Sequence, residues 1–348
     1  MDSKKDDFYA EELGQLHEKI DQLTAEVNRQ NQTINEICQV INNLTQFLTT
    51  IEQNGRINSQ NIGVLKNRIE NLPYEMSDPA CSGKYVLPHI MSLEETIQGI
   101  VHDHKSIARF GDGEFGLMFG DARWRFQRTD EKLALRLRQV VTSDEPNILI
   151  GLNNFYGDLS HRTPHDADGI RSYITPAIRA QHMQLLNTRP IYATACISRA
   201  TSREMVRLQK TIWEEKDCVF IEGNQTRMGV GNDLFDNARS IQRILCPAEN
   251  AFDRYEDILC ETKKLPTDKT ILIALGPTAS VLAYDLALLG YHAIDIGHVD
   301  LSYEWLIRNN GAKTAVTTKY NNEYPEGYIV EDIHDSVYDS QIIADMSR

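Results

Sequence analysis

The chain has 348 residues, of which 41% are hydrophobic and 25% are charged, as in an ordinary soluble globular protein. Its formal net charge of -14 argues against a general nucleic-acid or anionic-membrane surface, because phosphate groups would be repelled over most of the protein. The length allows two domains, or one large domain with an appendage. The charge still permits a small basic pocket for a nucleotide.

The six cysteines are scattered, without a C-x-x-C pair or the spacing of a zinc site, which predicts free thiols in a reducing compartment. The N-terminal residues are too acidic and polar for a signal peptide, and no apolar run approaches the ~18 residues that span a bilayer. We therefore expect a cytoplasmic protein with no membrane span.

A heptad repeat runs from residue 13 to residue 72. Its a positions are Leu13, Ile20, Val27, Ile34, Ile41, Leu48, Gly55, Ile62 and Ile69. Its d positions are Leu16, Leu23, Gln30, Ile37, Leu44, Ile51, Asn58, Leu65 and Leu72. Fifteen of these eighteen residues are apolar, which predicts a coiled-coil helix over residues 1–72. A continuous helix over the repeat would be about 90 Å long at ~1.5 Å per residue.

A single helix cannot bury its own apolar stripe, so we expect a homo-oligomer through this segment. β-Branched residues at a with leucine at d favour dimers, whereas Ile37 and Ile51 at d favour trimers. Val40 and Phe47, at g, widen the stripe further. The heptad pattern is therefore compatible with both a dimer and a trimer. The alternative is a long helix that packs back on the globular domain.

Residues 73–88 form a predicted linker, since three prolines, two serines and a glycine break any helical pattern there. Ser92 and Glu95 then fit a capping box at the start of a helix. From residue 89 onward, strand-like and helix-like stretches alternate. Strands are predicted at 107–110, 147–152, 191–198, 218–222, 270–275 and 292–296. Helices are predicted near 130–141, 176–186, 202–213, 233–245, 252–264 and 277–289.

This alternation, with continuous apolar strands such as 271–275, predicts an α/β fold: a mostly parallel, Rossmann-like sheet with helices on both faces. Ligands of such sheets bind at the carboxyl ends of the strands. Polar residues that directly follow a predicted strand are therefore the best candidates for a binding site.

The first strand end carries Arg109 and, after it, Asp112, Gly113 and Glu114. In an extended backbone, two carboxylates two residues apart point to one side, and Gly113 leaves room for a ligand to approach. Two hard oxygen donors there could hold a divalent cation that binds a diphosphate. An acid-x-acid pattern is expected about seven times by chance in this composition. Its position after a strand, among glycines and near an arginine, is what makes this one a candidate.

A glycine-rich loop follows the strand at 218–222. Glu222 lies at the strand end, where a catalytic carboxylate often lies, although pairing with a neighbouring arginine is the more frequent role. Arg227 can bind phosphate oxygens bidentately, and the glycines, among them Gly229, let the loop fold closely round an anion. Asn232 or Asp233 could cap the next helix.

The strand at 270–275 leads into the turn from Gly276 to Ser280. Free N–H groups at the following helix, together with Thr278 and Ser280, could receive a phosphate. An ordinary turn with a capping hydroxyl fits equally well. The turn is not a G-x-G-x-x-G fingerprint and gives no support for a dinucleotide.

His298 and Asp300 follow the strand at 292–296 and repeat the spacing of the first motif. They could join Asp112 and Glu114 around a cation or an acceptor hydroxyl. Other polar strand ends could line the cleft, although loop hydrogen bonding is the plainer role: Asn153, Asn154, Tyr156 and the turn from Ser198 to Ser202. Trp124 and Arg125 could stack on a base or sugar, or pack in the core.

Taken together, four separated stretches resemble the GT-D-type bacterial glycosyltransferases. They are Arg109–Glu114, Glu222–Phe235, Ala274–Leu286 and Asp295–Asp300, and the likeness covers roughly residues 90–310. It implies a GT-D-like domain over residues 89–348, a nucleotide-sugar donor that is typically UDP-linked, and a manganese-type divalent ion (Mn²⁺ or Mg²⁺). The family's D-x-E motif maps onto Asp112 and Glu114. The coiled coil lies outside the likeness.

The main hypothesis is a metal-dependent hexosyltransferase acting on a glycan or glycoprotein. Asp112 and Glu114, with His298 as a third candidate ligand, would hold the cation. Arg109, Gly113, Arg227, Gly229, Asn232, Gly276 and Thr278 would help to bind the donor. Asp300, His298 and Glu222 are the candidates for activating the acceptor hydroxyl. The alternatives are a coiled-coil assembly protein whose head binds a nucleotide sugar without catalysis, and a metal-dependent phosphohydrolase.

Overall fold

The computed structural model describes residues 3–76, 88–120, 126–156, 159, 162–186, 191–325 and 327–348. The chain forms two compact units, one of residues 1–70 with 162–164 and one of residues 71–161 with 165–348. Within the residues described, no helix combines the length and the apolar character that crossing a membrane requires.

The first unit is dominated by one helix, α1 (Ser3–Met76). All fifteen apolar residues at the a and d positions are between 51% and 67% exposed. The predicted long helix is therefore confirmed, and its apolar stripe is open; its self-association stays a prediction. The helix continues through Pro73 to Met76, so it includes the first residues of the predicted linker. Residues 77–87 of that linker lie outside the described part of the chain.

The second unit is built on a nine-stranded sheet in the order β1-β4-β3-β2-β8-β7-β5-β6-β9. The strands are β1 (His89–Ile90), β2 (Ser106–Phe110), β3 (Ile148–Leu152), β4 (Ile191–Thr194), β5 (Asp217–Gly223), β6 (Ser240–Cys246), β7 (Thr270–Ala274), β8 (His292–Asp295) and β9 (Ile342–Asp345). Every pairing between these strands is parallel. The predicted Rossmann-like α/β class is confirmed.

Helices cover both faces of the sheet. They are α2 (Leu93–Val101), α3 (Asp112–Met118), α4 (Glu131–Val141), α5 (Pro164–Tyr173), α6 (Pro176–Leu186), α7 (Arg203–Lys210), α8 (Tyr255–Thr262), α9 (Pro277–Leu288), α10 (Val299–Asn309) and α11 (Ser336–Gln341). The capping box predicted at the start of α2 is present, with Glu95 N donating to Ser92 Oγ at 3.1 Å and Ser92 N donating to Glu95 Oε2 at 2.8 Å. Strand residues alternate between two apolar clusters: Ile271 and Ile273 face one, and Leu272 faces the other.

One predicted helix, at 233–245, is wrong. The segment instead contains β6, which pairs residue by residue with β5 from Asp217 opposite Ser240 to Gly223 opposite Cys246. Its apolar residues at 241, 244 and 245 have helical spacing, but the strand position lets Ile244 pack in the core while Arg243 forms a buried ion pair with Glu222. Tertiary pairing here overrides a local pattern.

The sheet has a topological switch point between its neighbours β2 and β8. The chain leaves β2 into α3 and α4, whose buried residues belong to one apolar cluster, and leaves β8 into α10, which starts in the other. The two connections therefore depart over opposite faces and open a crevice at the carboxyl ends of the two strands. In open α/β sheets this is where ligands bind. The crevice receives Asp112 and Glu114 from one side and His298 from the other.

Candidate active site

An ion pair forms the floor of the crevice. Arg109 Nη2 donates to Asp295 Oδ1 at 2.6 Å, Nε donates to the Asp295 carbonyl at 2.7 Å, and Nη1 donates to Ser198 Oγ at 2.7 Å. Gly297, at φ +52°, lets the guanidinium lie there, because a Cβ at that position would be 2.0 Å from Nη2. Arg109 is thus engaged by the protein itself. Its predicted contact with a diphosphate would require it to leave these partners.

Asp112 and Glu114 do not stand on an extended backbone as expected. They are the first and third residues of α3, whose N-cap is Gly111. Two residues of a helix are about 200° apart around its axis, so the two carboxylates diverge rather than share one side. The local reason is that acidic residues are favoured in the first turn, where they meet the free N–H groups and the positive end of the helix dipole.

Glu114 turns back onto the start of its own helix, where its Oε2 accepts a hydrogen bond from Gly111 N at 2.7 Å. Burial raises the pKa of Glu114 to about 7, with the Gly111 hydrogen bond opposing the rise and the nearby Asp295 carboxylate adding to it. Near neutral pH this carboxyl group therefore exchanges readily between its charged and neutral forms.

Asp112 is the exposed carboxylate of the motif. Removal from water on its protein side raises its pKa, its own backbone N–H and that of Gly113 lower it, and the charges of Arg199 and Glu323 act in opposite directions. Asp112 therefore lies within electrostatic range of Arg199, in the turn predicted to line the cleft, and of Glu323, which no sequence pattern indicates.

Glu323 is the centre of a charged cluster at this end of the crevice. It lies 3.0 Å from His298 Nδ1, 2.8 Å from Arg199 Nη1 and 2.8 Å from Lys313 Nζ. Burial alone would raise the pKa of Glu323, but the hydrogen bond with His298 and the positive charges around it hold the pKa well below its usual range. The carboxylate is thus charged, and it orients the imidazole of His298 through Nδ1.

The three predicted metal ligands, Asp112, Glu114 and His298, do not form a cluster. Across the described ranges of the chain, no group of three His, Cys, Asp or Glu side chains could hold a metal ion. His298 Nδ1 is taken by Glu323, and one Glu114 oxygen by Gly111. A cation that keeps water and takes its remaining ligands from substrate phosphates needs only one or two protein carboxylates, and the exposed Asp112 is the one open to such a cation.

Glu222 is a buried structural residue. Its side chain is fully buried, forms an ion pair with Arg243, and accepts a hydrogen bond from Met228 N at 2.7 Å. Neither oxygen is open to a substrate, so the predicted acid-base role of Glu222 does not fit this position. It holds the start of the 223–232 loop against the sheet.

Arg227 also serves the fold. It is 8% exposed, and its Nη1 donates to the carbonyl oxygens of Thr318 at 2.8 Å and Glu331 at 2.7 Å. The guanidinium thus ties the glycine-rich loop to the segment after α10. The predicted bidentate contact with a phosphate does not fit this position.

Asp300 lies in a second buried network. Its Oδ1 accepts from Gly229 N at 2.9 Å and Asn232 Nδ2 at 2.8 Å, and its Oδ2 accepts from Lys319 Nζ at 2.6 Å. Lys319 also lies 3.2 Å from Glu304. Asp300 is 3% exposed and saturated with donors. It is therefore placed to hold three segments together, and a role for it as a base has no support in this geometry.

The Gly276 turn is closed by an aromatic ring. Gly276 has φ +52°, and a Cβ there would lie 2.2 Å from Phe126 Cε1, so glycine is needed for the ring to approach. Ser280 Oγ donates to the Arg109 carbonyl at 2.7 Å. Thr278 Oγ1 is buried and has no hydrogen-bond partner in the described part of the chain. The predicted phosphate contact of this turn stays a prediction, and the hydroxyl of Thr278, unpaired among the described residues, is its donor.

Two of the other polar strand ends are internally occupied. Ser198 binds Arg109, and Tyr156 Oη lies 3.0 Å from His182 Nδ1. Asn153 Oδ1 is 4.0 Å from Cys196 Sγ, and Asn154 Oδ1 accepts from Tyr156 N at 3.4 Å. Trp124 and Arg125 lie outside the described residues.

Three charged residues of this region have no signal in the sequence: Lys313, Lys319 and Glu323. Arg199, by contrast, belongs to the turn from Ser198 to Ser202, a candidate lining of the cleft in the sequence. The three residues come from the irregular segment after α10, which follows no strand. No local pattern marks such a segment as part of a site.

Comparison with known proteins identifies the family of this chain. The family model for the glycosyltransferase GT-D fold matches residues 107–324, well over half of the chain. The chain belongs to the GT-D glycosyltransferase family. Two streptococcal relatives are the "Probable glycosyl transferase Gly" of Streptococcus gordonii, 34% identical over 268 residues, and the "Glycosyltransferase GlyD" of Streptococcus pneumoniae, 33% identical over 270 residues. The matches cover 74% and 73% of this GT-D chain but only 39% and 32% of the relatives.

Two solved structures resemble the GT-D chain over almost their whole length. One is described as a highly conserved domain of unknown function with a distinct glycosyltransferase fold. It has a TM-score of 0.68 at 34% sequence identity, and the match covers 74% of this chain and 96% of the solved chain. The other, a glycosyltransferase from Streptococcus sanguinis, has a TM-score of 0.69 at 32% identity and covers 75% and 100%. The resemblance inferred from the sequence is confirmed at the level of family and fold.

Proposed function

We propose that this chain is a metal-dependent glycosyltransferase of the cytoplasm that moves a hexose from a UDP-linked sugar to a glycan or glycoprotein acceptor. The observation that supports it best is the crevice between β2 and β8. There the exposed carboxylate of Asp112 is influenced by the charge of Arg199, and Arg199 and the imidazole of His298 both contact Glu323. The family and fold supply the reaction class, and these residues supply the chemistry.

Asp112 and Glu114 are the residues that would hold Mn²⁺ or Mg²⁺. When bound, the cation supplies positive charge to the diphosphate leaving group. Arg199 and Lys313 would add charge to the same diphosphate. Their side chains are 42% and 52% exposed, so each can contact a ligand while it remains near Glu323. We assign the diphosphate contact to these two residues instead of Arg109 and Arg227, whose guanidinium groups already donate to other parts of the protein.

His298 is our candidate for activating the acceptor hydroxyl. With Nδ1 held by the charged Glu323, the other ring nitrogen is left to take the proton of the hydroxyl, and the carboxylate stabilises the imidazolium that forms. The same pairing fixes which nitrogen carries the proton. Asp300 and Glu222 lack this freedom, since each is buried among its own donors.

The donor half of the proposal is tested by release of UDP from UDP-hexoses with and without Mn²⁺. We expect Asp112→Ala to lose at least ~100-fold in kcat/KM, in line with loss of a major electrostatic contact in the transition state. Glu114→Ala should also lower turnover. Glu131→Gln, which changes an exposed carboxylate in the first turn of α4, is the matched control. Full turnover by both motif variants would remove the D-x-E pair from the mechanism.

The base is tested by His298→Gln and Glu323→Gln in the same assay. We expect His298→Gln to lower kcat by ~10²–10⁴ with little change in the KM of the donor. Glu323→Gln should lower kcat less and alter the pH profile, because it acts through the imidazole. His102→Gln, at an exposed histidine, is the control. Equal kcat in His298→Gln and the control would exclude this histidine as the base.

A second candidate function is an assembly protein whose head binds a nucleotide sugar without transferring the sugar. The long exposed apolar stripe of α1 is the observation that favours it. Deletion of residues 1–72 distinguishes the assembly protein from the transferase. An assembly protein would lose a bound partner on this deletion, whereas a transferase would keep its transfer activity. Free sugar or phosphate formed without an acceptor would instead indicate a phosphohydrolase.

A further inference from the structure

We propose that α1 forms a parallel, in-register, three-stranded coiled coil with two further copies of this chain. This inference is independent of the proposed transfer reaction. It rests on the exposed stripe of the helix, on the positions of its polar interruptions, and on the residues that border the stripe.

The stripe is long and unburied. Every apolar a and d residue from Leu13 to Leu72 is at least half exposed. Soluble proteins rarely leave contiguous apolar surface of this extent uncovered, and a surface this long in one straight line fits only another long helix. A copy of the same helix has the same heptad length and the same interruptions.

The polar interruptions favour parallel strands in register. Gln30 and Asn58, both at d, would then each face the same residue in the other copies, and their amides can donate to and accept from one another. An antiparallel pair that overlaps fully would place Asn58 opposite Val27 and Gln30 opposite Gly55. That arrangement buries two amides without amide partners, which costs free energy. A polar residue at a core position is also a known means of fixing register.

The middle of the stripe favours three strands over two. Four of the six a and d residues between positions 34 and 51 are isoleucine, with both d isoleucines, Ile37 and Ile51, in this range, and isoleucine at both positions shifts coiled coils from dimers to trimers or tetramers. Val40 and Phe47, at g, are 57% and 62% exposed. In a dimer they would stay at the edge of the interface, whereas three strands enclose more of each g position. Across a parallel interface Val40 faces Thr45 and Phe47 faces Glu52, and neither pair can form an ion pair, so no ion pairs hold these flanks to two strands.

Light scattering on the full chain tests the number of strands. We expect a particle of three chain masses that persists on dilution. The variant Ile41→Asp with Leu44→Asp puts two charges into the core and should give single chains. The control, Asn42→Asp with Gln46→Asp, adds the same charge on the outer face of the same turns and should stay trimeric.

The near-ultraviolet circular dichroism of the buried Trp213 and Trp305 reports whether the sheet unit stays folded in each variant. A single-chain parent, or a core variant that is folded and still trimeric, would overturn the proposal. A two-chain particle would overturn the three-stranded form.

Disulfide trapping tests the orientation. In a Cys38→Ser background, Leu16→Cys should form a disulfide-linked pair of chains on oxidation, because parallel strands in register bring residue 16 next to its own copies. In the antiparallel arrangement residue 16 lies opposite residue 69 and ~80 Å from its own copy, at ~1.5 Å per residue. The Cys38→Ser parent measures any background from the native cysteines. Absence of a cross-link in Leu16→Cys above that background would refute the parallel orientation.

Discussion

Replacing Glu114 with glutamine should stabilise the protein in alkaline buffer and leave it unchanged in acid. Burial raises the pKa of this carboxyl from an ordinary 4.5 to about 7 in the folded state. Between these two values the folded protein binds more protons at this site than the unfolded chain does. The free energy of unfolding therefore falls as pH rises from 4.5 to 7. Above pH 7 the full cost of the buried charge is present.

The size of the effect follows from the same two values. Each tenfold change in an acidity constant corresponds to about 1.4 kcal/mol, so the buried charge costs at most about 3 kcal/mol above pH 7. Glutamine has nearly the same shape, keeps an oxygen for the Gly111 N–H, and carries no charge. We expect Glu114→Gln to exceed the parent in unfolding free energy by 1–3 kcal/mol, roughly, at pH 8 and to match it at pH 4.5.

Urea unfolding followed by tryptophan fluorescence at both pH values measures the difference, with a chelator present so that no cation binds the carboxylates. The buried Trp213 and Trp305 make the signal report on the sheet unit. Glu131→Gln, at an exposed carboxylate, serves as the control and should show the same difference from the parent at both pH values. If Glu114→Gln behaves like this control, the carboxyl is not held in a desolvated position and the reasoning fails.

Three further substitutions test the fold around the site. Lys319→Met leaves the buried Asp300 without its cation, while Glu304 keeps Arg308, and should cost about 3–5 kcal/mol in chemical unfolding. Gly297→Ala places a methyl group 2.0 Å from an Arg109 nitrogen at a φ of +52°, so we expect a melting temperature several degrees below that of Gly113→Ala, which meets nothing within 4 Å. Ser92→Ala removes the cap of α2 and should cost about 1 kcal/mol by the same urea measurement. An unchanged unfolding free energy in Lys319→Met would contradict the buried ion pair, and in Ser92→Ala it would contradict the helix cap. Equal melting temperatures of Gly297→Ala and Gly113→Ala would contradict the close approach of Arg109.

The family and most of the fold were predictable from local signals. Apolar runs of strand length, separated by helical patterns, identified six strands correctly, because strands covered on both faces must be apolar throughout. The strand-end rule points to the carboxyl ends of the strands as the site, which stays a prediction. It names Asp112 and His298, which the structure places after the neighbouring strands β2 and β8.

The roles of individual residues were less predictable. Glu222, Arg227 and Asp300 have the residue types of an active site and lie at the expected strand ends, yet each is consumed by partners distant in the chain. Conversely, Glu323 lies in a segment without regular structure, and nothing around it in the sequence indicates that an imidazole and two cationic groups will meet there.

The sequence by itself determined what depends on neighbours within one or two turns: the heptad stripe of α1, the capping box of α2, and the alternation of strands and helices. Only the tertiary structure decided which charges are free to act. A carboxylate at a strand end looks the same in sequence whether its partner is a substrate or an arginine 21 residues away, as for Glu222 and Arg243. That choice depends on strand order and register, because these determine which residues distant in the chain become neighbours.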